Sequence, residues 1–144
     1  MQESVFSIEL NRTKEAKITL GESYITRLKY AFKQIDISEE NFNSFIVLTC
    51  IFAISVEGKT NIDQYDFFIK TTKREMSYGE FVDYTINTVN KERLLEAKSR
   101  YQNNLNKHSY NIRKLLFEYV VLFIVSKGYY TKLDMEFAEE LQVK

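Results

Sequence analysis

A chain of 144 residues, 44% apolar and 28% charged, has the size and make-up of one globular domain, which excludes a largely disordered protein. Its 20 basic residues balance 20 acidic ones, which argues against a general nucleic-acid coat or a surface for polyacids. A single cysteine, Cys50, excludes an internal disulfide framework, and its place in an apolar run makes it a small buried hydrophobe.

Glu3, Glu9, Arg12, Lys14 and Glu15 stand where a signal peptide would need an apolar stretch. The longest apolar runs, 45–56 and 115–125, fall short of the roughly twenty residues that cross a bilayer. Both read as buried helices, so the expectation is a cytoplasmic protein without a membrane partner. Pro and Trp are absent, while Asn, Lys, Ile, Tyr and Phe abound. These five have AT-rich codons, so the bias reads as the imprint of a low-GC genome or a mobile element.

In residues 1–20, Phe6, Ile8 and Leu10 alternate with polar neighbours, and Ala16, Ile18 and Leu20 repeat the pattern. Period-two alternation around a polar turn predicts a β-hairpin with an open edge; a helix over 5–17 is the alternative. Gly21 then breaks the chain. Tyr24, Leu28, Ala31, Phe32 and Ile35 predict a helix from about 22 to 35. Ser38 caps the first strongly apolar helix, which stops at Gly58. Asn61 caps a helix with a Tyr65, Phe68 and Ile69 stripe.

Ser77-Tyr78-Gly79-Glu80 is a capping box, opening a helix through Phe81, Tyr84 and Thr85 towards Val89. A long polar helix runs from Asn90 or Lys91 to about 106. Ser109 or Asn111 precedes the second apolar helix, which ends before Gly128. Thr131 caps a last helix containing Leu133, Phe137, Ala138 and Leu141. No linker composition divides the chain. The expected fold is therefore all-α, a single domain over 1–144, with six or seven helices bundled over 22–142.

Placing Gly58 on Gly128 aligns Phe45 with Leu115, Ile46 with Leu116, Ile51 with Val121 and Ile54 with Ile124. This is either a helix–glycine–helix repeat or the chance likeness of two buried helices.

The run from Leu48 through Thr49, Cys50, Ile51, Phe52, Ala53, Ile54, Ser55, Val56 and Glu57 to Gly58 resembles the first half of tellurite-resistance protein B-like (TerB-like) domains. That family includes the N-terminal domain of the DjlA co-chaperones. The resemblance covers about 45–142 and implies an all-helical pseudo-repeat. Glu57-Gly58 and Lys127-Gly128 stand where the family has Asp-Gly. The resemblance also implies a divalent cation held by loop acids, here Glu57, Asp63 and Asp66, with Asp134 joining if the halves meet. Oxygen ligands of this kind suit a hard cation; the competing reading is acids placed at helix starts, where the dipole favours them.

His108, the one histidine, lies beside Asn106, Lys107 and Ser109 and reads as a polar surface junction. One histidine cannot build a usual zinc cluster, and no phosphate loop, dinucleotide fingerprint or CxxC is present. Charge is segregated nonetheless. Lys91, Arg93, Lys98, Arg100, Lys107, Arg113 and Lys114 cluster against only Glu92 and Glu96. Such a face can contact phosphates, can simply be solvated, or can pair with an acidic face. The leading expectation is a non-enzymatic binding or regulatory module, acting on a protein partner or as a homodimer. Nucleic-acid binding through the basic face and divalent-cation binding are the alternatives.

Overall fold

The computed structural model describes residues 2–87 and 91–142. Helix α1 (Gln2–Leu10) is followed by α2 (Lys14–Gln34), α3 (Glu39–Ser55) and α4 (Ile62–Thr72). The short α5 (Tyr78–Val82) runs on into a π-helical turn (Asp83–Asn87); then come α6 (Lys91–Leu105), α7 (Tyr110–Val125) and α8 (Lys132–Gln142). No strand occurs among the described residues, and no helix among them is long and apolar enough to cross a membrane. The architecture is an all-α bundle. Val89, towards which the α5 pattern pointed, and Asn90, a candidate start of α6, lie outside the described residues.

Helix α7 is the centre. Residues 119–125 all expose 1% or less of their surface, so this stretch of the helix is apolar all round because it is covered all round. It packs against α1, α2, α3, α4 and α8. Each buried Val, Leu, Ile or Phe there contributes roughly 1.5–3 kcal/mol relative to exposure. Hydroxyls inside the core are paired: Tyr101 with Thr49 (2.6 Å) and Tyr119 with Thr71 (2.8 Å). The thiol of Cys50 is buried beside Tyr119, and burial pushes it well above its ordinary range.

The glycine echo is a structural repeat. Helices α3 and α7 end at 55 and 125, and α4 and α8 run 62–72 and 132–142, each bound seventy residues apart. Gly58 and Gly128 both take the left-handed conformation, φ +76° and +99°, that reverses the chain between the paired helices. The following helices are capped alike: Asn61 accepts from the Gln64 amide at 3.0 Å, and Thr131 from the Asp134 amide at 3.1 Å.

The N-terminal hairpin does not form. Residues 2–10 and 14–34 are helical, so among the described residues there is no strand edge for a partner to join. The period-two pattern is not the burial pattern: Phe6 is fully buried, whereas Ile8 is 60% exposed. Thr13 decides the second start, its side chain accepting from the Ala16 amide at 3.1 Å, with Glu15 in the first turn. Nor does Gly21 break the chain. It lies inside α2 on a buried stripe with Ile25, Leu28 and Phe32, at four, three and four-residue steps. A Cβ there would fall 2.6 Å from Phe67 and from Thr71, so glycine is required by the close crossing of α2 and α4.

The predicted capping box at Ser77 and Glu80 is present in both directions. Lys73 is unanticipated: it ends α4 at φ +60°, a left-handed position where glycine is the usual residue. His108 is half-buried instead of lying on a polar surface. The link between α6 and α7 folds back onto α2 and α3, stacking the imidazole on Phe32 at 5.2 Å and edge-on to Phe45 at 6.1 Å. Burial, and then the charge of Arg113, hold its pKa below the ordinary value.

Candidate functional site

The glycine turns bring the two halves together at one buried ammonium. Lys127 lies at the end of α7, its side chain only 3% exposed. Its Nζ donates to Asp134 Oδ2 at 2.9 Å and to Glu57 Oε1 at 3.3 Å. The ring of Tyr129 lies 4.9 Å from the same Nζ, and the Tyr129 hydroxyl donates to Glu57 Oε1 at 2.5 Å. This hydrogen bond, with help from Lys127, holds the Glu57 carboxyl below its usual range, and it pushes the phenol of Tyr129 up to about 12.

Asp134 is fixed from a second side. Its Oδ2 also accepts from the Thr131 amide at 2.9 Å, closing a capping box at the start of α8. Its Oδ1 is buried with no hydrogen-bond partner. The start of α4 in turn closes the end of α7. Asn61 Nδ2 donates to the Lys127 carbonyl at 2.8 Å, and Gln64 Nε2 to the Phe123 carbonyl at 3.1 Å. Terminal carbonyls of a helix need such donors. This assembly is a brace between repeats: its ammonium is sealed from solvent and holds one oxygen of each carboxylate, Glu57 Oε1 and Asp134 Oδ2.

The structure divides the four candidate metal ligands. Glu57 and Asp134 meet at Lys127. Asp63 and Asp66, on α4, instead flank Lys14 of α2, at 3.3 and 2.9 Å. Each pair of acids is therefore answered by a lysine. Among the described residues no group of three or more His, Cys, Asp and Glu is placed to hold a metal ion.

The seven basic candidates also separate. Arg113 is 3% exposed and donates to the Leu141 carbonyl at 2.9 Å and the Glu140 carbonyl at 3.3 Å, so it closes the end of α8. Lys98 lies over the Phe137 ring at 5.4 Å. Arg93, Arg100, Lys107 and Lys114 are exposed. Lys91 opens α6, and its side chain lies outside the described ones.

Sequence reasoning missed an apolar opening among the described residues. An apolar groove of about 380 Å³ lies between the end of α3, the π-helical turn and α6. Val56, Ile86 and Leu94 line it, and Leu95 stands on its edge, 70% exposed. Adjacent leucines at 94 and 95 in an otherwise polar helix were the available signal. A second cavity, about 260 Å³ between α1, α2 and α7, faces Tyr24, Glu118 and Lys114. There burial and a hydrogen bond to Glu118 push the Tyr24 phenol up to about 12.

No protein-family model, no curated protein and no solved structure matches this chain.

Proposed function

We propose that this chain is a non-enzymatic protein-binding module that receives apolar side chains of a partner in the groove between α3, the π-helical turn and α6. The observation that carries this reading is Leu95, a large apolar side chain 70% exposed at the edge of a groove lined by Val56, Ile86 and Leu94. Exposed apolar clefts with polar rims are where proteins seat one another. The partner is another protein or a second copy of the chain. A TerB-like membership is proposed on the two helix–glycine–helix units alone, without a divalent cation, since lysines answer the acids it would use.

The test is an affinity pull-down from the source cell, with and without nuclease, comparing the native chain with Leu95→Glu. A discrete protein that survives nuclease and is lost with Leu95→Glu is expected. Retention of that protein by Leu95→Glu would place binding elsewhere. Nucleic acid recovered in its place would favour the second reading, contact of phosphates with the exposed Arg100, Lys107 and Lys114.

A further inference from the structure

We propose that the pocket where α2, α3 and the end of α4 meet docks an acidic peptide segment of a partner protein, with one apolar side chain of that segment seated inside. The inference rests on the protein-binding reading but uses residues other than those of the groove. The pocket holds about 110 Å³. Sites for whole small molecules run roughly 300–1,000 Å³, so this one accepts a side chain and not a cofactor. Its floor is apolar and fixed: Ile25, Phe42 and Ile46 are 6%, 2% and 2% exposed.

Its mouth is cationic. Lys29 comes from α2, while Lys73 and Arg74 come from the end of α4. Three consecutive residues, Thr72 to Arg74, line this one pocket. In a continuing helix they would fan out around the axis; the left-handed Lys73 turns the chain and keeps them together. Two of the three cations already face carboxylates, which leaves the Arg74 guanidinium as the charge open to a partner. Lys73 pairs with Glu22, while Lys29 reaches Glu39 only at 3.7 Å between two exposed side chains. Arg74 is exposed and makes no ion pair within 4 Å among the described residues. A guanidinium presents a planar fork that matches a carboxylate. An apolar anchor flanked by carboxylates satisfies floor and mouth together.

The test is fluorescence anisotropy of the full chain with labelled peptides. The probe is a Phe flanked by two Glu on each side, compared with the same peptide carrying Ser for Phe, and with a single-stranded DNA of equal charge. Saturable binding of the Phe peptide is expected. It should weaken about tenfold with Ser for Phe, and by a similar factor with Lys29→Glu plus Arg74→Glu. It should also weaken several-fold on raising salt, and be unaffected by Leu95→Glu, which separates this site from the groove. If the double reversal lowers the melting temperature, Arg74→Gln is read in its place, with a loss of about threefold. No binding of the acidic peptide, or equal binding of peptide and DNA, overturns the proposal.

Discussion

Lys127 reaches across to Glu57, the residue seventy positions before it and its counterpart in the repeat, with Nζ 3.3 Å from Oε1. Two halves with like charges at this place would repel; opposite signs join them. The same ammonium holds Asp134, whose own counterpart is Gln64, a neutral residue that caps α7. The halves thus supply complementary parts of one brace.

Removing the ammonium should strand a buried carboxylate. Lys127→Met is expected to lose about 3–5 kcal/mol of stability, the range for breaking one side of a buried pair. Adding Asp134→Asn should restore part of the loss, since the buried charge then disappears. Urea denaturation of the single and double variants measures this, and simple additivity would count against the coupling.

Gly21→Ala should destabilise although alanine is the better helix former. The new methyl carbon meets the Phe67 and Thr71 side chains at 2.6 Å, so these buried side chains or the helices that carry them must shift, at about 1–3 kcal/mol. Thermal unfolding should show a lower midpoint; an unchanged or raised one would show that the crossing yields freely.

Lys73→Gly should act in the opposite direction. The left-handed position at φ +60° costs a side-chain-bearing residue roughly 1 kcal/mol that glycine avoids. The lost ion pair to Glu22 lies on the surface and offsets only a little. A rise of a few degrees in melting temperature is expected, and a fall would mean that the pair outweighs the strain.

Stability should fall with acid in two stages. The pKa of His108 is lowered from 6.5 by burial, so below 6.5 the unfolded chain takes up a proton that the folded one resists. Its contribution is complete above 6.5 and declines as pH drops towards the folded value. The pKa of Glu57 is lowered from 4.5, so its contribution is complete above 4.5 and is lost as pH falls through its folded value. Melting temperatures from pH 8 to 3 should decline in both windows. His108→Phe, which keeps a ring against Phe32, should remove the first decline and leave the second.

The basic stretch should behave unevenly if it contacts nucleic acid. Reversal at exposed Arg100 and Lys107 should weaken binding at every sequence and reduce its salt dependence. Arg113→Gln should instead lower stability, because that guanidinium closes the end of α8. Filter binding and thermal melting of the same variants separate the two effects.

The sequence by itself determined the all-α class, the two apolar helices at 39–55 and 110–125, most helix caps and the seventy-residue echo. Each of these rests on local physics: helical periodicity, side chains that reach their own backbone, and glycines that take a left-handed turn. The N-terminus was legible only in part, because alternation over so few residues fits a strand as readily as a helix; tertiary burial of Phe6, and not of Ile8, chose between them. Only the fold could decide what long-range charges meet. Asp63 and Asp66 look like companions of Glu57 along the chain, yet α2 brings Lys14 to them from 49 and 52 residues away. Arg113 reads as one of a basic run, yet it faces inward, because the carbonyls ending α8 need a donor where water is excluded. Spacing along the chain fixes which residues share a helix face; which faces meet depends on how the helices cross, and there a glycine at 21 and a lysine at 127 carry the outcome.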